Sequence, residues 1–135
     1  MQPSTVLETV LYAEDLRAAQ VFYHEVLGLE CVQEEKNRHV FFRCGDQMLL
    51  IFNPQETRKL RAGGLPVPPH GALGEGHVCF RATASELDGW RRHFARAGIA
   101  IEADFEWPGG GRSIYVRDPA GNSVEFAEAR IWGLP

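Results

Sequence analysis

The chain has 135 residues, 44% of them hydrophobic, and a formal net charge of −4. That size and apolar content suit one compact unit with a substantial core, and interspersed charges with no basic stripe argue against nucleic acid or an anionic membrane as partner. No apolar run is long enough to cross a bilayer, no signal peptide is evident in "MQPSTVLETV", and Cys31, Cys44 and Cys79, with no C-x-x-C pair, read as reduced cytoplasmic thiols.

Residues 5–12, "TVLETVLY", alternate as a strand. Asp15 then offers a helix N-cap, and Leu16, Ala19, Phe22, Tyr23 and Val26 recur at helical spacing up to the stop signal Gly28. Three short strands are expected next, at "LECVQEE", "RHVFFRC" and "QMLLIF". The segment 53–76, rich in Pro and Gly, is long for an ordinary connection and reads as a flexible linker or a loop with a role.

The second half repeats this order. "GHVCFRA" reads as a strand, Ser85 as a helix cap followed by Glu86, and Leu87, Trp90, Phe94 and Ala97 as the apolar stripe of a helix ending at Gly98. Strands follow at "IAIEADF", "RSIYVRD" and "NSVEFAE". Each cap lies thirteen residues before its glycine, and order, caps and stops agree together, which predicts a duplicated strand–helix–strand–strand–strand unit. The expected fold is α+β: two βαβββ modules, residues 4–53 and 75–130, joined by a linker over 54–74 within a single domain 1–135. Their curved mixed sheets would surround a cleft, with the helices outside.

Period-two alternation assigns faces. Val78 and Phe80, like Val124 and Phe126, suit the helix-covered face, which turns His77 and Glu125 to the other side. Tyr115 shares that side if Ile114 and Val116 pack under the helix, and Glu8 falls opposite Leu7 and Leu11. Three ionisable groups, Glu8, His77 and Glu125, are thereby expected to point into one concavity.

The segments "DLRAAQVFYHEVLGL" and "DPAGNSVE", with the opening at "HVCFRA", resemble the vicinal oxygen chelate superfamily over nearly the whole chain. That group holds glyoxalase I, extradiol dioxygenases, fosfomycin-modifying thiol transferases and bleomycin-resistance proteins. The resemblance implies that Glu8, His77 and Glu125 are ligands of a divalent metal, with Glu8 standing where the family more often has His. A fourth carboxylate of the glyoxalase pattern would fall at Leu49 or Leu50, and both are leucines. One imidazole and two carboxylates favour Mn²⁺ or Fe²⁺ and admit Zn²⁺, Ni²⁺ or Co²⁺. Open coordination positions would take a small oxygen-rich substrate through two adjacent oxygens. Tyr115 would stand beside that substrate, Met48, Leu50 and Phe52 would line the wall, and Arg112 would greet an anionic group.

The first functional reading is therefore a metal-dependent enzyme of the glyoxalase or extradiol dioxygenase type. The second is a bleomycin-resistance-like dimer that sequesters a ligand without metal. A regulatory subunit retaining only the scaffold is the third. The resemblance also implies a homodimer, with the ligands drawn from one chain or from both. Of the remaining histidines, His70 in the linker is a candidate acid or base or a plain loop residue; His24 and His93 are read as exposed, and His39 as alternating with Phe41 and Arg43. Trp107 is a pocket wall or a turn anchor, and Trp132 a subunit contact.

Overall fold

The structure, a computed structural model, describes residues 1–135 and divides into two compact units, Met1–Gly76 and His77–Pro135. In the first unit, β1 (Glu8–Tyr12) leads to α1 (Leu16–Gln20), which runs on as a π-helical segment, Val21–Val26. Then come β2 (Glu30–Glu35), β3 (His39–Cys44), β4 (Gln47–Phe52) and a short α2 (Pro54–Thr57). The second unit has β5 (His77–Arg81), α3 (Ala84–Ala97), β6 (Ala103–Glu106), β7 (Arg112–Arg117), β8 (Ser123–Ala127) and a terminal 3₁₀ turn, Ala129–Trp132. Two four-stranded mixed sheets result, ordered β1-β4-β3-β2 and β5-β8-β7-β6, and the paired βαβββ reading holds.

This order matters for chemistry. The first and last strands of each unit lie side by side and parallel, with Glu8 opposite Met48 and His77 opposite Ser123. A side chain from the start of a module is therefore a cross-strand neighbour of one from its end.

The first helix begins where expected, since Asp15 accepts a hydrogen bond from the Ala18 N–H at 3.0 Å. Its π-helical turn is closed by Leu27 N–H to the Phe22 carbonyl at 2.9 Å, and Phe22, Tyr23 and Leu27 are buried against the sheet. The second helix is capped by Thr83, two residues earlier than the expected Ser85. Thr83 Oγ1 accepts from Glu86 N–H while Glu86 Oε2 accepts from Thr83 N–H, a reciprocal capping box that Ser85, one residue from Glu86, cannot form. Leu87 and Phe94 of the stripe are buried, whereas Ala97 is exposed at the last turn; Gly98 closes the helix at φ 69°. Part of the expected linker is ordered as α2, capped by Asn53, and His70 N–H donates to the Thr57 carbonyl at 3.0 Å.

The core of the second unit sits between α3 and one face of its sheet. Val78 and Phe80 pair in register with Val124 and Phe126, and Phe126 packs 4.6 Å from Trp90 and 5.6 Å from Phe94 between ring centroids. Ile114, Val116 and Val124 are fully buried on this face. The corresponding face of the first unit buries Leu11, Val40, Phe42, Leu49 and Ile51.

His39 lies in the first unit, buried and stacked on Phe41 at 4.0 Å, with a buried Nδ1 that makes no hydrogen bond. Burial holds its pKa below the ordinary histidine value, against the pull of Glu35, with Arg38 and Arg61 adding to the depression. The unfolded chain therefore takes up this proton at a higher pH than the folded one. Its stabilising contribution is complete above the unfolded value of about 6.5 and is lost as pH falls from there through the folded pKa. His39→Phe should accordingly lose less stability than the parent between pH 7.5 and 5.5, read as the urea midpoint at each pH; equal losses would refute it.

Candidate metal centre

The turn "DPAGN" fixes the register of β8 before any functional side chain is reached. Asp118 accepts from the N–H groups of Ala120 and Asn122 at 3.0 and 2.8 Å and from Asn122 Nδ2 at 2.9 Å, while Gly121 takes φ 89°. Asp118 and Asn122 are both buried. Asp118→Ala should cost about 2–4 kcal/mol, because two buried donors of Asn122 and the Ala120 N–H lose their acceptor at once. A thermal melt with less than a few degrees of change would contradict this.

With that register, Glu125 lies opposite Tyr115 on β7 and opposite Cys79 on β5. Its residue is only 6% exposed, so this carboxylate is not a solvated surface group. His77, one diagonal step away on β5, brings Nε2 to 3.2 Å from Glu125 Oε2. The other ring nitrogen, Nδ1, stands 3.2 Å from the Ser123 carbonyl oxygen. A carbonyl can only accept, so Nδ1 carries the proton. Nε2 of a neutral ring then presents a lone pair to an ionised carboxylate, which can also only accept. Two acceptors face each other, and either a second proton or a cation must lie between them.

Neutral donors surround the same carboxylate. Ser113 Oγ donates to Glu125 Oε1 at 2.6 Å, and Trp107 Nε1 donates to Ser113 Oγ at 2.8 Å. The Tyr115 hydroxyl is pushed up to about 12, by burial first and then by its hydrogen bond to Glu125 and that group's charge. The Cys79 thiol is likewise pushed up to about 12, by desolvation and then by Glu125. Such a thiol stays protonated near neutral pH, so it does not suit nucleophilic attack. Phe105 and Tyr115 rings lie parallel at 6.0 Å, and Trp107 meets Phe105 edge-on at 4.8 Å.

Of the expected ligands, His77 and Glu125 thus come together within the second unit. Glu8 is an exposed residue of β1 in the first unit, and no group of three or more His, Cys, Asp or Glu is placed so that it could hold a metal ion. Leu50, opposite Val10, occupies the repeat position that Glu125, opposite Cys79, occupies in the second unit; Leu49 faces the helix instead. Met48, Leu50 and Phe52 share the strand face of Glu8. Arg112 lies on the helix-covered side of β7, bonded to Asp104 at 2.8 and 3.0 Å and to Asp88 on α3 at 2.7 Å. Its alternation with Ser113 turns it away from the Tyr115 side, so it braces β7 to β6 and α3 there. His70 is held in the first unit by a 2.7 Å hydrogen bond between Nδ1 and the Tyr12 hydroxyl. His24 is exposed as read; His93 is half-buried, edge-on to Trp90. Ser113 and Cys79 were not among the expected site residues, and Trp107, read as a pocket wall or a turn anchor, was not expected to hold Ser113. Alternation could have found Ser113 and Cys79, each two residues from a candidate on the same strand.

A model of the glyoxalase/bleomycin resistance protein/dioxygenase superfamily matches residues 5–126. The chain belongs to that superfamily. Within it, the chain is 31% identical over 123 residues to the virulence protein STM3117 of Salmonella typhimurium, covering 88% of this chain and 80% of that one. The crystal structure of that protein superposes with a TM-score of 0.69 at 27% identity, covering 95% and 98% of the two chains. A crystal structure of lactoylglutathione lyase from Agrobacterium tumefaciens is 49% identical, with a TM-score of 0.95, over 99% of this chain and 100% of that one. His77 and Glu125 lie on β5 and β8, the strands that open and close the second module. No helix is long and apolar enough to cross a membrane.

Proposed function

We propose that this protein is a divalent-metal-dependent enzyme acting on a small oxygen-rich substrate held through adjacent oxygens. The observation that carries the reading is the approach of His77 Nε2 to Glu125 Oε2 at 3.2 Å. An imidazole nitrogen and a carboxylate oxygen fit Mn²⁺ or Fe²⁺ first, and also Zn²⁺, Ni²⁺ or Co²⁺. Glu8 is the third candidate ligand, in a protein read as a homodimer. Bound there, the cation supplies Lewis-acid stabilisation of negative charge developing on the substrate oxygens.

The protein's own residues do the rest. Tyr115, with its hydroxyl raised to about 12, keeps its proton and re-aims it from Glu125 to a substrate oxygen when substrate binds. Phe105 and Trp107, both partly exposed, give that side an apolar rim. The free cysteines Cys31, Cys44 and Cys79 favour a reducing cytoplasm. The near-half identity to a lactoylglutathione lyase supports lyase chemistry on a thiol-conjugated oxoaldehyde. Leucine at position 50, where the glyoxalase pattern puts an acid, supports the extradiol dioxygenase arm.

Chelator-washed protein reloaded with each metal should bind it stoichiometrically and turn over one class: thiol-conjugated oxoaldehydes without oxygen, or catechols only with it. A protein that takes up no metal under any loading would end this reading. The apolar character of Leu50 and its neighbours favours a second reading, a metal-free ligand-sequestering dimer. Tight ligand binding by metal-free protein, without turnover after loading, would select it.

A further inference from the structure

We propose that Ser113 and Trp107 are positioning residues that aim Glu125, a proposal that rests on the metal-centre reading above. The direction of each hydrogen bond follows from donor chemistry alone. An indole N–H can only donate, so Ser113 Oγ accepts from Trp107 Nε1 at 2.8 Å. A hydroxyl has a single proton, and an ionised carboxylate can only accept, so that proton goes to Glu125 Oε1 at 2.6 Å. Oε1 is thereby held toward Ser113, and Oε2 faces His77 Nε2 at 3.2 Å. Ser113 is fully buried, so water does not substitute for it.

The relay starts at the surface. Trp107 opens the "WPGGG" hairpin, where its N–H donates to the Gly111 carbonyl and its carbonyl accepts from Gly110 N–H, both at 2.8 Å. Gly111 has φ 92°, and a Cβ added there would stand 2.5 Å from Ile131 Cγ2 of the terminal turn. The hairpin is therefore seated against the C-terminal 3₁₀ turn, which fixes the indole that orients the serine. Orienting partners of this kind set both the rotamer and the basicity of a ligand carboxylate.

The indole ¹H–¹⁵N resonance of Trp107, assigned among the three tryptophans by Trp107→Phe, reads the relay without any metal. In metal-free protein, Glu125→Gln should displace that resonance, and in a Ser113→Ala background the same substitution should leave it in place. Zn²⁺ affinity, measured by chelator competition, should fall about 10–100-fold in Ser113→Ala and by less in Trp107→Phe. An indole resonance indifferent to Glu125→Gln, or wild-type Zn²⁺ affinity in Ser113→Ala, overturns the proposal. If the parent protein binds no cation while the indole still follows Glu125, the relay stands and only the metal reading falls.

Discussion

Glu125→Ala should strip the protein of its divalent cation, lowering affinity by at least about 100-fold, since even outer partners of metal ligands are worth 10–100-fold. The carboxylate is the buried member of the facing pair, and His77, alone and exposed, offers one neutral nitrogen. A single imidazole is a weak site, whereas imidazole plus carboxylate begins a competent one. Activity of the loaded protein should vanish with the metal. Folding should survive: the substitution costs about 1–3 kcal/mol for the stranded Ser113 hydroxyl but also removes a carboxylate that burial disfavours. Metal content after reloading, beside a circular dichroism melt, separates the two effects. Asp88→Asn is the control, because that carboxylate pairs with Arg112 on the helix side and should leave metal content unchanged. Stoichiometric metal in Glu125→Ala would refute the prediction.

Phe94→Ala should have the largest effect on stability, about 3–5 kcal/mol for a fully buried aromatic ring. Phe94 has no exposed surface, stacks on Trp90 at 5.5 Å and meets Phe126 of β8 at 5.6 Å. Phe126 follows Glu125 directly, so the ring on α3 supports the strand that presents the carboxylate. A loss of that size is a large share of the roughly 5–15 kcal/mol that holds a typical domain together. The melting temperature should drop by on the order of 10 °C or more. Phe94→Leu, which fills most of the same volume, should recover the greater part. A shift of only a few degrees for Phe94→Ala would mean that the site collapses around the missing ring.

The faces of the second sheet were legible in advance because strand alternation is a local property. Val124 and Phe126 against α3 leave no choice for Glu125, and Val78 and Phe80 leave none for His77. The helix stops at Gly28 and Gly98 were equally local, as was the cap Asp15. Ser85 was misread because two hydroxyl residues compete in "TASE", and only the reciprocal bonds of Thr83 and Glu86 decide between them. Arg112 shows a different difficulty: its parity along β7 follows from Tyr115, yet its partners Asp88 and Asp104 lie on other elements.

By itself the sequence determined two repeated modules, the order of their strands and helices, and which way most side chains point. Those properties follow from neighbours a few residues away, through period, capping and turn chemistry. Only the tertiary structure decided that His77 Nε2 meets Glu125 Oε2, that Leu50 and not Leu49 takes the place of a second-module acid, and that Ser113 and Trp107 stand behind Glu125. Each depends on register between strands distant in the chain, where a slip of one residue would turn every one of these side chains to the opposite face.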